Sequence, residues 1–331
     1  MTVADVRSIA EGFSRTIALV VGDVMVDAYL WGRVDRISPE APVPVVQVTD
    51  RSARLGGAAN VARNIHALGA KPIVVSVTGD DDQARALEGL LLLEGLSTEG
   101  IVRSAQRRTT VKTRIISGHQ HVVRVDEEME GDITAEEEEA LLARVDQLLA
   151  SAAPQVVILE DYNKGVLTER VITGVITAAH GRGIPVAVDP KKKNFFAYRG
   201  ADLFKPNLKE LREGLKIDLR GGDIAALRSA VETLESGLSN KASLITLSEH
   251  GVYVHAGNEE HTLPAHERKI VDVSGAGDTV IAVAALCLAQ ELPWKTIAAW
   301  SNLAGGLVCE QVGVVPVDRE RLLSEAQRSA F

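Results

Sequence analysis

Asp272-Val273-Ser274-Gly275-Ala276-Gly277-Asp278-Thr279, followed by the apolar run Val280 to Leu288, is the stretch on which the reading of this chain turns. A glycine-rich turn running into a helix leaves backbone N–H groups unpaired at the positive end of the helix dipole. Such a turn holds phosphate oxygens or stabilises charge developing on them. Gly275 and Gly277 allow close approach and positive φ, which a side chain would obstruct. Asp278 is the odd member, because a carboxylate beside an anion site repels phosphate unless it has a chemical task. That task is to accept a proton from an attacking hydroxyl; the plain alternative is that Asp278 caps its helix. Other phosphate motifs are excluded directly. Val280 stands where a dinucleotide fingerprint needs its third glycine, no Gly-Lys dipeptide offers a Walker loop, and the protein-kinase signatures are missing.

Outward from this stretch, short β-branched runs alternate with helical patterns. Ile17–Val21, Ile73–Val77, Val156–Leu159, Ile184–Val188 and Leu244–Leu247 are apolar on both faces, as parallel strands covered by helices are. Thr134 followed by Glu137 forms a capping box, which makes the acidic run Glu136–Glu139 a solvated first turn. Strands alternating with helices predict a doubly wound α/β sheet. Ala41–Val48 and Thr109–Val125 break the rhythm. They alternate polar and apolar residues without an intervening helix and predict exposed antiparallel strands, with Pro42 and Pro44 suited to an edge. The expectation is one core domain over residues 1–331 carrying a small inserted β-sheet lid, built from segments of about 29–52 and 104–126.

The 331 residues carry 36 basic and 45 acidic side chains, a net charge of -9, which argues against a nucleic-acid partner. Cys287 and Cys309 supply neither a disulfide framework nor a metal clip and fit a reducing compartment. His250, His255, His261 and His266 cluster in sequence without the carboxylate or Cys spacing typical of zinc. No apolar run approaches the ~20 residues that span a bilayer. Asp5 and Glu11 rule out a secretory signal at the start. A cytoplasmic enzyme with no membrane partner is expected.

A second candidate site lies early in the chain. The strand Ile17–Val21 ends in Gly22-Asp23, which places a carboxylate at a strand's C-terminal end, where ligands of open α/β sheets bind. Gly56-Gly57-Ala58-Ala59-Asn60 opens a helix, and paired glycines let a ligand lie against the backbone. Asp23 and Asn60 together could hold a polyol, although each alone is ordinary turn chemistry.

Gly56-Gly57-x-x-Asn60, Asn207-Leu208-Lys209-Glu210 and Gly275-Ala276-Gly277-Asp278, in this order, resemble the ribokinase or PfkB-type sugar kinases, over about Ala18 to Val317. Within that family the chain is most similar to the D-glycero-β-D-manno-heptose 7-phosphate kinases. The segments that carry this are Arg36-Ile37-Ser38-Pro39-Glu40-Ala41-Pro42-Val43-Pro44-Val45, Asp161-Tyr162-Asn163-Lys164-Gly165 and Asp189-Pro190-Lys191, with Thr279-Val280-Ile281 extending the late motif. The ten-residue segment is the most specific. Glu160, where a small residue such as Ser is expected, and Ala282, where glycine is commoner, depart from the pattern.

The resemblance implies a ribokinase-like, mostly parallel sheet and a kinase using ATP and Mg²⁺, with a monovalent cation as an optional accessory. Asp278 would be the general base, and the N–H groups of Gly275, Ala276 and Gly277 the anion hole. Asn207 and Glu210 would face the triphosphate and its Mg²⁺, Glu210 through water. Thr246, Ser248 and Gly251 would border the nucleotide, and Asp23, Gly56, Gly57 and Asn60 would bind the sugar. Arg124, Lys164 and Lys191 are the cations chosen for a phosphate on the sugar. The acceptor would be the anomeric hydroxyl of D-glycero-D-manno-heptose 7-phosphate, giving the 1,7-bisphosphate for ADP-heptose and lipopolysaccharide core synthesis. The rivals are a same-fold kinase for ribose or a fructose phosphate, and a catalytically silent nucleotide-binding protein. The lid would pair with its twin in a homodimer. Related enzymes are often fused to a C-terminal adenylyltransferase, and a stand-alone kinase is expected from this length.

Overall fold

The computed structural model describes residues 3–328 except His119 and Gly221. Helix α1 (Val3–Arg15) and strand β1 (Ile17–Gly22) are followed by two long outgoing strands, β2 (Val24–Ile37) and β3 (Pro44–Gly57), before helix α2 (Ala58–Ala67) returns to the core. Next come β4 (Lys71–Gly79), α3 (Asp82–Leu93), β5 (Ile101–Ser104) and a second outgoing pair, β6 (Val111–Ser117) and β7 (Gln120–Glu127). The middle of the chain holds α4 (Ala135–Ser151), β8 (Val156–Glu160), α5 (Glu169–His180), β9 (Val186–Asp189), β10 (Leu203–Phe204), α6 (Leu208–Leu215) and α7 (Ile224–Leu238). The last third holds β11 (Ala242–Thr246), β12 (Val252–Ala256), β13 (Glu259–Leu263), α8 (Ala276–Leu288), α9 (Trp294–Val308) and α10 (Arg319–Arg328).

Nine strands form the main sheet in the order β13-β12-β11-β10-β9-β8-β1-β4-β5. Pairing is parallel from β11 to β5, and β12 and β13 close one edge antiparallel. Side chains alternate between the two faces of each strand. On β1, Ala18 and Val20 join a core with α1, α2, α8 and α9, while Leu19 and Val21 join a second core with α4, α5 and α7. Both faces are covered, which is why these strands are apolar throughout. Helix α8 is buried from Asp278 to Leu288, so its sequence is apolar on every side. The five expected strands appear as β1, β4, β8, β9 and β11; β9 starts at Val186, after Pro185, which has no N–H for the ladder.

From β1 the chain crosses to β4 on one side, and later elements add β8 on the other. The strand order therefore reverses between β1 and β8, whose ends Gly22 and Glu160 are register partners. Ligands of open α/β sheets bind at this switch point.

The outgoing strands form a separate sheet, β3-β2-β6-β7. Its strands run over 24–57 and 111–127, so the first pair begins earlier and the second later than the expected 29–52 and 104–126. Its first strand was hidden because Val24–Asp27 is buried and does not alternate. The pairing is also mixed: β2 and β6 run parallel, contrary to the antiparallel expectation. Pro44 starts β3, an edge strand, where its missing N–H does no harm. The Thr134–Glu137 capping box is present, but it buries Glu137, and Glu138 pairs with Arg170, so only Glu136 and Glu139 are solvated. No helix among the described residues is long and apolar enough to cross a membrane.

Candidate active site

Helix α8 is capped by the backbone of Gly275, at φ 79°, and not by a carboxylate. This removes the capping reading of Asp278. The N–H groups of Ala276, Gly277 and Asp278 lie in the first turn, where a helix offers no internal partner. That of Ala276 is turned back to the Val273 carbonyl at 3.3 Å, which leaves the glycine side of the turn open. Gly277 is helical and exposed. Its neighbours Asp189 and Lys205 would lie 3.7 and 3.9 Å from an added Cβ, so positive φ is needed at Gly275 alone.

Asp278 is buried and held through both oxygens. Asn60 Nδ2 donates to Oδ2 at 2.6 Å, and the Tyr162 hydroxyl donates to Oδ1 at 2.7 Å. Burial pushes its pKa up to about 6; the bonds from Asn60 and Tyr162 pull it down, and nearby Asp189 adds to the rise. A carboxylate tuned near neutrality is suited to general base work. Asn60, expected to touch sugar, spends its Nδ2 on Asp278.

Below the turn, the ends of β8, β9 and β10 bring Glu160, Asp189 and Lys205 into one row, with Glu160 and Asp189 in register. Lys205 Nζ lies 2.8 Å from Asp189 Oδ2, and both side chains are almost fully buried. Lys191 Nζ lies 2.6 Å from Glu210 Oε1 and 3.9 Å from Asp189 Oδ1, with its ammonium 5.3 Å from the centre of the Tyr162 ring. Burial alone would lower Lys191, but Asp189, Glu210 and Glu160 more than reverse this and keep it charged. Glu160 is fully buried with neither oxygen hydrogen-bonded; burial, then Asp189 and Asp278, hold its pKa well above the carboxylate range. Lys191 therefore belongs to the carboxylate group of Asp189 and Glu210 at the sheet end.

Asn207 and Glu210 cap α6 reciprocally: Asn207 Oδ1 accepts from Glu210 N and Glu210 Oε2 accepts from Asn207 N, each at 2.8 Å. Thr246 bridges to Asn207, which places the β11 end beside this cap. Ser248 takes a left-handed φ of 53°, and Gly251 (φ 83°) has no room for a Cβ, which would sit 2.1 Å from the Leu263 carbonyl oxygen. These residues are brought together as expected. A divalent ion fits the carboxylates here: Glu160 and Asp189 keep three buried oxygens without a partner, and Mg²⁺ typically takes one or two carboxylates plus phosphates. Glu210, with both oxygens engaged, is placed to act through water. Among the described residues no three acidic, His or Cys side chains form a ready-made metal site.

The sugar side departs most from expectation. Asp23 is buried and accepts the backbone N–H groups of Tyr162, Lys164 and Val166 at 2.8, 3.0 and 3.1 Å. Its carboxylate anchors the loop that carries Tyr162. Gly56 and Gly57 are required by β2: an added Cβ would meet Asp27 Oδ2 at 2.4 Å or the Asp23 carbonyl oxygen at 2.3 Å. Asp27, not singled out from the sequence, lies buried beside Gly56 and pairs with Arg114. Arg114 stands in register with Arg124, whose fork is closed on Asp126 at 2.9 Å. Lys164 Nζ pairs with Glu128 at 2.8 Å and Glu130 at 3.4 Å. Arg124 and Lys164 thus pair with carboxylates at the end of the lid, Asp126 and Glu128, whereas Lys191 pairs with Glu210. Of the expected histidine cluster, His255 pairs with Glu235 and His261 with Glu259.

Residues 16–320 match the family described as pfkB family carbohydrate kinase. The chain belongs to that family. As a pfkB carbohydrate kinase it transfers a phosphoryl group to a sugar, and its fold is ribokinase-like. The chain is 46% identical over 303 residues to the bifunctional protein HldE of Caulobacter vibrioides, covering 91% of this chain and 61% of that protein. It is 40% identical over 320 residues to the bifunctional protein HldE of Trichlorobacter lovleyi, covering 96% and 64%. The chain thus spans a little over three fifths of the length of these relatives. Phosphofructokinase-2 from Escherichia coli, solved with potassium, superposes with a TM-score of 0.75 at 21% identity, covering 94% of this chain and 98% of that one. Arabidopsis thaliana ribokinase, solved with ribose and ATP, gives 0.71 at 17%, covering 93% and 99%. Lys205 and Tyr162, like Asp27, were missed as site residues, since a lone Lys after a strand or a Tyr in a loop carries no spacing signal.

Proposed function

We propose that this pfkB kinase transfers the γ-phosphoryl group of ATP to the anomeric hydroxyl of D-glycero-D-manno-heptose 7-phosphate. The observation that carries the reaction is Asp278, buried, held by Asn60 and Tyr162 and placed in the first turn of α8. Asp278 takes the proton of the attacking hydroxyl; the hydroxyl oxygen forms the new bond to phosphorus as the β–γ bridging oxygen leaves with ADP. The open N–H groups around Gly275 and Gly277 and the Lys205 ammonium stabilise the charge in transit. Asp189 and Glu160, with Glu210 acting through water, would hold a Mg²⁺ ion, which would supply charge neutralisation for the triphosphate.

The heptose reading rests on the Arg36–Val45 segment and its resemblance, together with relatives named HldE. Asp27 takes the polyol role once assigned to Asp23. Arg114, Arg124 and Lys164 are the cations for the distal phosphate, where incoming phosphate oxygens would exchange with Asp126 and Glu128. The lid pairs with a second copy, and the product feeds ADP-heptose synthesis in the cytoplasm. The test is ADP release over a panel of heptose 7-phosphate, ribose and fructose 6-phosphate. Turnover is expected on the heptose phosphate; turnover on ribose with none on heptose phosphate overturns the substrate.

A further inference from the structure

The lid meets the loop between α9 and α10 at a contact that the chemistry above does not use. Arg54, near the end of β3, reaches out of the lid and its Nη1 donates to the Val314 carbonyl at 3.0 Å. Its guanidinium also lies over the Tyr29 ring, 5.2 Å from the centroid, and Arg114, which is paired to Asp27, lies over the same ring at 5.3 Å. Gly313, next to Val314, donates its N–H to Asp272 Oδ2 at 2.8 Å, and the other Asp272 oxygen accepts Ser274 N–H at 2.9 Å. Val314 itself backs the anion turn: a Cβ on Gly275 would meet Val314 Cγ1 at 3.2 Å. A continuous chain of contacts therefore runs Asp27–Arg114–Tyr29–Arg54–Val314–Gly275. One end is the residue assigned to the sugar, and the other is the turn assigned to the phosphoryl group.

We propose that Arg54 is a positioning residue that couples the lid to the anion turn, so that sugar held under the lid sets Gly275 and its neighbours for the transferring phosphate. The proposal rests on the kinase reading of Asp278 and Gly275 given above. Arg54 is suited to the task because a planar guanidinium can stack and donate at once, which a lysine ammonium cannot do in the same geometry. A comparison is built into the structure. Arg63, on α2, reaches the same Val314 carbonyl at 3.5 Å from the core side while its Nε pairs with Glu94. These two partners, Val314 and Glu94, both lie outside the lid.

The experiment is a binding cycle on the whole chain. The affinity of Mg²⁺·AMP-PNP is measured with and without heptose 7-phosphate, and the reverse, for wild type, Arg54→Ala, Arg54→Lys and Arg63→Ala. In wild type each ligand is expected to tighten the other by about 5–150-fold, the usual range of coupling between sites. In both Arg54 variants the coupling factor should fall to near one while each ligand alone binds as in wild type. Their kcat should drop by about 10²-fold, the typical loss when reacting groups are misplaced by about 1 Å. Arg63→Ala should keep its coupling. Retained coupling in Arg54→Ala overturns the proposal. So does equal loss in Arg63→Ala, or loss of both single-ligand affinities together with melting temperature, since either marks a merely structural contact. A wild type that binds no heptose phosphate breaks the substrate reading alone, and the coupling is then read with the panel sugar that releases ADP.

Discussion

Lys205 and Asp189, at the carboxyl end of the main sheet, leave 3% and 5% of their side chains exposed, whereas Arg124 and Asp126 on the lid leave 58% and 23%. Both pairs have good geometry, yet they belong to different regimes. Charges at the sheet end are desolvated, so each depends on its neighbour, and Asp189 adds to the raised pKa of Glu160 and of Asp278. The Arg124–Asp126 pair keeps its water, and such pairs contribute only ~0–1 kcal/mol, whereas Arg114–Asp27 and Lys164–Glu128 beside it are largely shielded. The sheet end can therefore hold a tuned base and a fixed anion turn before substrate arrives. The lid can open its Arg124–Asp126 pair at little cost and give Arg124 to a substrate phosphate. Preorganised chemistry on one sheet and exchangeable recognition on the other is the division of labour that the contrast suggests.

The largest effect should come from the sheet end. Asp278→Asn is expected to lower kcat by about 10²–10⁴-fold, the usual worth of a general base, in an ADP-release assay. Burial raises Asp278's pKa, so ionising it costs native stability as pH climbs from the ordinary carboxylate range through about 6. The variant should therefore melt no lower than wild type at pH 7.5. Unchanged turnover would place the base elsewhere and erase the contrast. Next is Lys205→Met, which strands a buried Asp189 carboxylate; the expected loss in urea unfolding is about 3–5 kcal/mol. Arg124→Ala, its lid counterpart, should change stability by less than ~1 kcal/mol. Equal losses in the two variants would show that the sheets do not differ as argued.

A smaller and more diagnostic effect is in pH dependence. Only ionised Asp278 can accept a proton, so kcat should rise with pH through a limb near 6 and be flat above it. Asn60 and Tyr162 hydrogen-bond the charged form and so lower its pKa. Asn60→Ala and Tyr162→Phe should both move the limb to higher pH, with the plateau recovered in alkaline buffer. A limb that stays at its wild-type position in both variants would detach these residues from the base.

The sheet end was largely legible in the sequence because its signals are local. A glycine turn before an apolar helix, β-branched runs and a Thr-x-x-Glu box each fix their own geometry through backbone constraints. What was not legible depends on long-range pairing. Asp23 and Asp27 stand four residues apart in similar surroundings, and only the return of the 162–166 loop decides that the first is consumed by backbone amides. Tyr162 reaches Asp278 across 116 positions of sequence, and no spacing announces such a contact. Lys191 was chosen by charge alone, and charge says nothing of the carboxylates, Glu210 and Asp189, that surround it in the fold. Strand β2 was missed for the same reason as Asp27: its first residues are buried by the core, so the alternation that marks an exposed strand is absent there.

The smallest expected effect on turnover concerns the lid's outer face. On β7, Val123 and Val125 point away from Arg124 and remain 48% and 46% exposed, opposite Ile115 and Thr113 of β6. Strand β7 is also an edge of its sheet, with a free row of backbone donors and acceptors. An exposed apolar face on an unprotected edge is what a twin lid would cover. Val123→Glu combined with Val125→Glu would place two carboxylates in that contact, and sedimentation should show the dimer giving way to monomer. The groups at the sheet end are untouched, so kcat at saturating substrate should change by no more than a few-fold while the KM for the sugar phosphate rises as the lid loses its support. A wild type that sediments as a monomer at micromolar concentration, or a double variant that remains dimeric, would detach the lid from assembly. The exposed valines would then need another occupant.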